Sequence, residues 1–295
     1  MAFDDLPPLP PLLHPGANEY AETALAETRR VQAAARVATD LRYGRDYWQR
    51  LDVYMPPARA GDHLPVLIFF HGGAWTNGTK EWMGFMAPPI LSMPALFVAP
   101  NYRLAPTDRF PKPLDDCCEA LAWVWRNIGS FGGDPERIFL GGHSAGGHLA
   151  ALAALSSSRL ADRNLPRDVV RACFPVSGSF DLRSRDAPAG SMERRIYDVF
   201  LERPEDDVAA SPLALVPDGR VPFLLSWGER DFSRLITQGE AMHRALQRQN
   251  VEVASVVLPD CDHFGANLAC AAPSGPWFPK VRRWMDIGQT KRSSP

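Results

Sequence analysis

The chain has 295 residues, of which 45% are hydrophobic and 22% charged, and its formal net charge is −2. This composition is that of a globular protein with a large core, and it excludes a disordered or collagen-like chain. The low net charge and the lack of a long basic run argue against binding to nucleic acid or to an anionic membrane surface. No apolar run reaches the length of a membrane span. We expect residues 1–295 to form a single domain.

The N-terminal sequence and the cysteines bear on the compartment. Residues 1–5 (MAFDD) are acidic and lead into a Pro-rich stretch, without the basic start and apolar core of a signal peptide. The five cysteines are an odd number and show no metal-ligand spacing, which favours reduced thiols. We therefore expect a cytoplasmic protein.

The predicted elements begin with one or two surface helices between residues 18 and 39, in an N-terminal extension that covers residues 1–40. Eight segments then predict strands: Leu41–Tyr43, Arg50–Met55, Val66–Phe70, Ala95–Ala99, Arg137–Leu140, Val170–Val176, Phe223–Trp227 and Val251–Leu258. Helical patterns lie between several of the strands and at the end of the chain: Leu114–Ile128, His148–Ser156, Leu235–Gln249 and Trp277–Ile287.

Apolar strands that alternate with helices predict an α/β fold, with a mostly parallel sheet of about eight strands and helices on both faces. Ligands bind at the carboxyl ends of the strands in such sheets. Residues 181–211 interrupt the alternation and carry a helical piece around Met192–Leu201. We expect this segment to form a small lid over the ligand-binding edge, the alternative being an ordinary surface excursion.

The most informative motif is Gly142–Gly147 (GHSAGG), which lies between a predicted strand and a predicted helix. In this context G-x-S-x-G indicates a nucleophile elbow, a tight turn that exposes the hydroxyl of Ser144. The backbone N–H of Ala145 falls at the N-terminus of the helix, where it is free to stabilise an anion. The motif therefore predicts a nucleophile beside a group that stabilises developing negative charge.

A serine nucleophile needs a histidine base, and chains with this elbow place the acid and then the histidine after the serine. His263 follows the last predicted strand, at the sheet edge where the base is required. His148 falls inside the helix after the elbow, and His243 lies in the middle of a later helix. We therefore expect His263 to be the base.

The acid that orients the histidine is expected to be Asp231, which lies just beyond the strand Phe223–Trp227 on the same edge. Glu229 and Asp181 are the alternatives, since each also follows a predicted strand. Asp260 and Asp262 flank His263 too closely in sequence to be its orienting partner.

The sequence His71–Trp75 (HGGAW) follows the strand Val66–Phe70. Its glycines let backbone amides approach a ligand, and a loop in this place supplies the second part of an oxyanion hole when an elbow follows. We expect the N–H groups of Gly73 and Ala74 to act together with that of Ala145. His71 itself is expected to brace the loop.

These motifs, together with Asn101–Pro106 and Phe131–Pro135, follow one another as they do in the α/β-hydrolase superfamily, and the likeness runs from about residue 40 to residue 264. The set resembles hormone-sensitive-lipase-type carboxylesterases, and HGGxW is similar to the arylformamidases, also called kynurenine formamidases. The resemblance implies Ser144, Asp231 and His263 as a catalytic triad, and a compact lid. Ala74 departs from H-G-G-G but keeps its amide.

The substrate pocket is expected to be aromatic. Residues expected to line it are Trp75, Trp82, Phe85, Trp227 and Phe264, although such a cluster is also typical of a core. A cation for an acid-bearing substrate is not obvious; the fold could supply Arg103, Arg109 or Arg185.

The sequence thus predicts a serine hydrolase that cleaves small carboxylic esters or aryl formamides through an acyl-enzyme, without a metal or an organic cofactor. An acyltransferase with the same triad is one alternative, and a catalytically inactive small-molecule receptor is another. The receptor is disfavoured because all three triad residue types are present. Whether the chain forms a homodimer is not decided by the sequence.

Overall fold

The computed structural model describes residues 8–57 and 63–287. Within them, eight strands form one sheet in the order β1-β2-β4-β3-β5-β6-β7-β8. The strands are β1 (Arg36–Arg42), β2 (Arg50–Met55), β3 (Leu64–Phe70), β4 (Leu96–Pro100), β5 (Gly133–His143), β6 (Val170–Val176), β7 (Phe223–Gly228) and β8 (Val253–Leu258). β2 runs antiparallel to both of its neighbours, and the pairs from β4 to β8 are all parallel. The expected α/β fold with a mostly parallel eight-stranded sheet is confirmed.

Ten α-helices in the described ranges connect or flank the strands. They are α1 (Pro15–Ala34), α2 (Ala87–Ser92), α3 (Lys112–Asn127), α4 (Ala145–Leu155), α5 (Ser157–Ala161), α6 (Met192–Arg195), α7 (Pro212–Leu215), α8 (Ser233–Arg248), α9 (His263–Ala269) and α10 (Trp277–Ile287). None of these helices is long and apolar enough to cross a membrane.

The core lies on both faces of the sheet, as the alternation of side chains along β3 illustrates. Val66, Ile68 and Phe70 belong to one buried apolar cluster, while Leu67 and Phe69 belong to another. Successive side chains of a strand point to opposite faces, so a strand covered on both sides is apolar throughout. This is why the buried strands are visible in the sequence as continuous apolar runs.

Two predicted elements differ from the structure. The Ala- and Arg-rich stretch up to Thr39 was expected to be helical, but β1 begins at Arg36 and pairs with β2. Pairing at the sheet edge overrides the helical propensity of these residues. No helix was predicted between the last strand and Trp277–Ile287, but the structure forms α9 there, which begins at His263 itself.

Residues 181–211 carry α6 and a π-helical turn, Ile196–Phe200. The Phe200 ring stacks on Trp75 with ring centroids 4.5 Å apart. The carbonyl oxygen of Ala210 accepts a hydrogen bond from His148 Nε2 at 2.8 Å. The segment therefore packs against the loop that follows β3, and its movement as a lid stays a prediction.

A buried ion cluster ties the N-terminal part of the sheet to the segment after β3. Lys80 Nζ lies 2.8 Å from Asp52, 2.6 Å from Glu81 and 3.1 Å from Asp40. Burial would lower the pKa of Lys80, but the attraction of Asp52 and Glu81 raises it well above its usual range. Burial raises the pKa of Asp52 to about 6, against the attraction of Lys80. The ammonium is thus the charge that compensates two buried carboxylates.

Replacing Lys80 with methionine should destabilise the protein by about 3–5 kcal/mol, because it leaves the buried carboxylates of Asp52 and Glu81 without a cation. Urea denaturation followed by circular dichroism measures the free energy of unfolding. Lys112→Met is the matched control, since Lys112 pairs with Asp108 on the surface and is half exposed; it should cost less than about 1 kcal/mol. Equal losses for the two variants would contradict a structural role for the cluster.

Candidate active site

Ser144 lies between β5 and α4, at the carboxyl edge of the sheet. Its backbone has φ 54° and ψ −118°, a strained conformation for a residue with a Cβ. A Cβ on Gly146 would lie 2.2 Å from the carbonyl oxygen of Phe70, and one on Gly142 would lie 2.4 Å from the backbone of Gly146. The glycines of the motif are thus required by close backbone contacts, which hold the turn and expose the Ser144 hydroxyl.

The structure brings Ser144, His263 and Asp231 together from three distant parts of the chain. The Ser144 hydroxyl donates to His263 Nε2 at 2.9 Å, and His263 Nδ1–H donates to Asp231 Oδ1 at 2.9 Å. The His263 and Asp231 side chains are almost fully buried. The arrangement has the nucleophile, base and orienting acid of acyl-transfer enzymes, at hydrogen-bonding distances.

Asp231 is held as a carboxylate in a fixed orientation. Its Oδ2 accepts a hydrogen bond from the Ser177 hydroxyl, and its Oδ1 accepts one from the backbone N–H of Phe232 at 2.7 Å. Burial would raise its pKa, but the hydrogen bond and charge of His263, followed by these two donors, lower it. The carboxylate is therefore ionised and able to stabilise a positive charge on His263.

The two alternative acids lie elsewhere. Asp181 forms a bidentate ion pair with Arg183, at 2.7 and 2.8 Å. Glu229 accepts a hydrogen bond from the backbone N–H of Asp260. Of the three acids weighed from the sequence, Asp231 is the one in hydrogen-bonding contact with His263.

His143, next to the nucleophile, is a residue whose contact with the site the sequence did not reveal. Its Nε2–H donates to the backbone carbonyl of His263 at 2.9 Å, so it holds the backbone from which the imidazole projects. Burial and then the nearby His263 lower the pKa of His143 to about 3, which keeps its ring neutral. Its position in GHSAGG, one residue before the nucleophile, was the available signal.

The loop after β3 lies against the nucleophile. A Cβ on Gly72 would be 3.1 Å from the Cβ of Ser144. Gly73, Ala74 and Trp75 all have positive φ, at 120°, 50° and 62°, so the chain turns in a way that few residues other than glycine favour. Gly73 and Ala74 line the same cavity as Ser144 and Ala145. The three residues whose backbone amides are expected to form an oxyanion hole therefore line one cavity.

Two histidines brace this loop. His71 is fully buried, its Nδ1–H donates to the carbonyl of Gly72 at 2.8 Å, and its ring stacks on Tyr102. His148 accepts a hydrogen bond at Nδ1 from the indole N–H of Trp75, at 3.0 Å. Burial lowers the pKa of each histidine to about 4, so both are neutral at physiological pH. His148 is thus a packing residue that links the loop to residues 181–211.

The cavity in front of Ser144 encloses about 730 Å³, a volume that includes the solvent space at its mouth. Trp75, Trp82 and Phe264 line it as expected. Phe85 and Trp227 are not among its lining residues, and both are buried in the core, which corrects their assignment to the pocket. Their aromatic character reflects packing: Trp227, for example, packs against Gly239 of α8.

The N-terminal region supplies one wall of the cavity, which the sequence did not predict. Lining residues from this region are Leu12, Leu13, His14, Ala17 and Tyr20. The centroid of the Phe232 ring lies 4.8 Å from those of both His14 and His263, and the ring planes are tilted by 35° in each pair. The His263 imidazole is therefore in contact with the ring of Phe232, which in turn contacts His14 near the start of the described chain.

Arg234 is a further lining residue that the sequence did not single out. The arginines considered for this purpose are engaged elsewhere: Arg103 pairs with Asp116, Arg185 pairs with Asp207, and Arg109 donates to backbone carbonyls of residues 198 and 201. Arg234 lies three residues after Asp231, in the first turn of α8. Because α8 begins so soon after Asp231, the side chain of Arg234 lines the cavity. In the described residues no group of His, Cys, Asp and Glu is arranged to hold a metal ion.

Comparison with known proteins agrees with the fold. A model of the α/β-hydrolase fold matches residues 67–266. The chain belongs to the α/β-hydrolase fold family. This α/β hydrolase is 33% identical to esterase LipC of Mycobacterium tuberculosis over 78% of its own length and 59% of LipC. It is 30% identical to carboxylesterase NlhH of the same organism over 75% of its own length and 72% of NlhH.

The α/β hydrolase spans 53–59% of the length of the first curated relatives it matches. Among solved structures, an esterase of Pyrobaculum calidifontis has a TM-score of 0.71 at 23% identity, over 92% of this chain and 90% of that one, which shows a shared fold. The esterase relatives support the resemblance to carboxylesterases. The likeness to arylformamidases stays a prediction.

Proposed function

We propose that this α/β hydrolase cleaves carboxylic esters by nucleophilic catalysis, with Ser144, His263 and Asp231 as the catalytic triad. The observation that carries the proposal is the unbroken hydrogen-bonded chain from the Ser144 hydroxyl through His263 to Asp231, which opens on an apolar cavity. The names of the relatives, an esterase and a carboxylesterase, support the same activity.

In the first half of the reaction, Ser144 Oγ attacks the ester carbonyl carbon while His263 Nε2 takes its proton. The imidazolium that forms is stabilised by the ionised Asp231, which also keeps the proton of the neutral ring on Nδ1. The tetrahedral intermediate collapses as His263 donates its proton to the departing alcohol oxygen. An acyl group then remains on Ser144.

The negative charge on the carbonyl oxygen requires stabilisation in the transition state. Gly73, Ala74 and Ala145 line the cavity beside Ser144, and their backbone N–H groups are the donors that we propose for this role. Each such donor contributes roughly 3–4 kcal/mol to transition-state stabilisation. Because the loop is braced by His71 and His148, the donors are held in place before the substrate arrives.

In the second half, a water molecule takes the place of the alcohol. His263 removes a proton from the water as it attacks the acyl carbon, and returns the proton to Ser144 Oγ when the acid departs. The chemistry needs no metal or organic cofactor. If an alcohol outcompetes water at this stage, the same triad performs acyl transfer, and analysis of products formed with and without an added alcohol distinguishes the two outcomes.

The cavity walls support a substrate with an aromatic or medium-length apolar part. Trp75, Trp82, Phe232 and Phe264 present rings to the space in front of Ser144. An aryl ester fits such a lining, and so does an aryl formamide, whose carbonyl is attacked in the same way. The two differ in the leaving group, since an amine is a poorer leaving group than a phenol.

A side-by-side kinetic comparison of 4-nitrophenyl esters of increasing acyl length with N-formylkynurenine tests the substrate class. We expect kcat/KM for the best ester to exceed that for the formamide at least a hundredfold, because 4-nitrophenolate leaves far more readily than the aryl amine. The Ser144→Ala variant measures background hydrolysis. A preference for the formamide would assign the chain to formamide hydrolysis instead.

A further inference from the structure

Arg234 introduces an unexpected charge into an otherwise apolar site. Among the described residues that line the cavity around Ser144, it is the one Arg, Lys, Asp or Glu. Its side chain is 25% exposed, so the guanidinium is largely removed from water. Removing a charged group from water costs free energy, and this cost must be offset by contacts within the protein or accepted for a functional reason.

The contacts of Arg234 leave part of its hydrogen-bonding capacity for a ligand. Its Nε lies 3.0 Å from Glu193 Oε1, and its Nη1–H donates to the Ser179 hydroxyl oxygen at 3.2 Å. A guanidinium carries five N–H donors in a planar fork, so these two contacts do not exhaust it. Burial lowers the pKa of Arg234, against the attraction of Glu193 and Asp231, but an arginine stays charged at neutral pH.

Glu193 belongs to α6, in the first turn of a four-residue helix within residues 181–211. Its side chain is 32% exposed, and it reaches Arg234 from outside the set of cavity-lining residues. A glutamate in this position is able to turn into solvent when another carboxylate takes its place. Ser179, by contrast, is buried and lines the cavity beside Arg234, so its hydroxyl is a fixed second polar group.

We propose that Arg234, together with the Ser179 hydroxyl, binds a carboxylate group of the substrate, and that Glu193 competes with this group for the guanidinium. The proposal rests on the ester hydrolysis proposed above and narrows its substrate class to esters that carry a free carboxylate elsewhere in the molecule. Arginine forms paired hydrogen bonds with a carboxylate, and the low dielectric of a closed cavity strengthens them. Arg234 then determines specificity, while the triad performs the chemistry.

The test compares acid-bearing esters with neutral partners of nearly the same shape. One probe pair, 4-acetoxybenzoate and 4-acetoxybenzamide, carries the group on the alcohol side. The other pair, monophenyl adipate and the phenyl ester of adipamic acid, carries it on the acyl side. The readout is kcat/KM for the acid divided by kcat/KM for the amide, after subtraction of spontaneous hydrolysis.

The parent protein should favour the acid in at least one probe pair. Arg234→Gln should lower that ratio about ten- to a hundredfold, as expected for the loss of charge-assisted hydrogen bonds, and Arg234→Lys should restore part of it. Glu193→Gln should raise the ratio, because it removes the competing carboxylate. Arg230→Gln is the matched control: Arg230 is an exposed arginine near the same acid, and its loss should leave the ratio unchanged.

A second role for the Arg234–Glu193 pair, as a structural clasp for residues 181–211, gives a different result. In that case Arg234→Gln and Glu193→Gln would both lower kcat/KM for acid and amide alike and leave the ratio unchanged, which overturns the proposal. Thermal unfolding of each variant shows whether a general loss comes from instability. Hydrolysis of the neutral esters without preference for the acids would reject this inference and keep the proposed function, whereas failure to hydrolyse any ester would reject the function itself.

Discussion

Replacing Ser144 with alanine should lower kcat for a short aryl ester by roughly five to six orders of magnitude, as the loss of a triad nucleophile does in other serine hydrolases. The variant should fold normally, because alanine keeps the Cβ and leaves the close contacts of Gly142 and Gly146 undisturbed. Steady-state kinetics measures the loss, and circular dichroism with thermal unfolding checks the fold. What activity remains reports on oxyanion stabilisation and substrate binding alone.

The control for this variant is Ser158→Ala, an exposed serine shortly after α4 that should leave both turnover and stability unchanged. Retention of turnover by purified Ser144→Ala protein would show that another group attacks the ester. The strained backbone at Ser144, with φ 54°, would then lack a functional reason.

Replacing Asp231 with asparagine should reduce kcat by roughly 10⁴-fold, although the side chain keeps its shape. The amide NH₂ can donate to His263 Nδ1, which favours the tautomer whose proton lies on Nε2. A protonated Nε2 cannot accept the proton of Ser144. The neutral amide also leaves the imidazolium without its compensating charge. Measurement of kcat and of the stability of the variant separates this effect from a loss of fold.

Asp181→Asn is the matched control for Asp231→Asn, because Asp181 also follows a parallel strand but pairs with Arg183 away from His263. It should change kcat by less than about threefold. A large loss in Asp181→Asn together with a small loss in Asp231→Asn would reassign the orienting acid.

The strands of the sheet could be predicted because the pattern that marks a buried strand lies in a few consecutive residues. The buried strands are continuous apolar runs, and each of the predicted strands corresponds to one of the eight observed strands. The start of β1 was missed because Arg36–Thr39 have no apolar run, and their extended conformation comes from pairing with β2. Edge strands are partly exposed and carry a weak signal, so propensity favoured a helix there.

The sequence also indicated the three side chains that the structure brings together, because each follows a strand end and Ser144 lies in a motif that only a few backbone conformations allow. GHSAGG requires glycines where backbone atoms pass within van der Waals contact, so the turn is encoded by the residues that form it. Asp231 and His263 follow from chain order and from the shared edge of parallel strands. The sequence nevertheless left three acids as candidate partners of His263, and the structure shows the hydrogen bond from His263 to Asp231.

The residues that line the cavity could be predicted only in part. Phe85 and Trp227 have the composition of a pocket, yet they pack in the core, while Phe232 and residues of the N-terminal helix face the nucleophile instead. Hydrophobic side chains line cores and pockets alike, so composition does not separate the two. The contact of His143 with the backbone of His263 joins residues 120 positions apart, so the place of His143 in GHSAGG does not reveal which residue it contacts.

The sequence by itself therefore determined the fold class and indicated Ser144, His263 and the loop that borders Ser144, because turns, glycine contacts and apolar strands depend on neighbouring residues. Only the tertiary structure decided which side chains surround the substrate, since those come from α1, α6 and α8, which meet through packing rather than through proximity in the chain. Arg234 shows this most clearly. In the sequence it is one arginine among many in the chain, and it lies on an amphipathic helix. Its position in the cavity follows from the start of α8 shortly after Asp231.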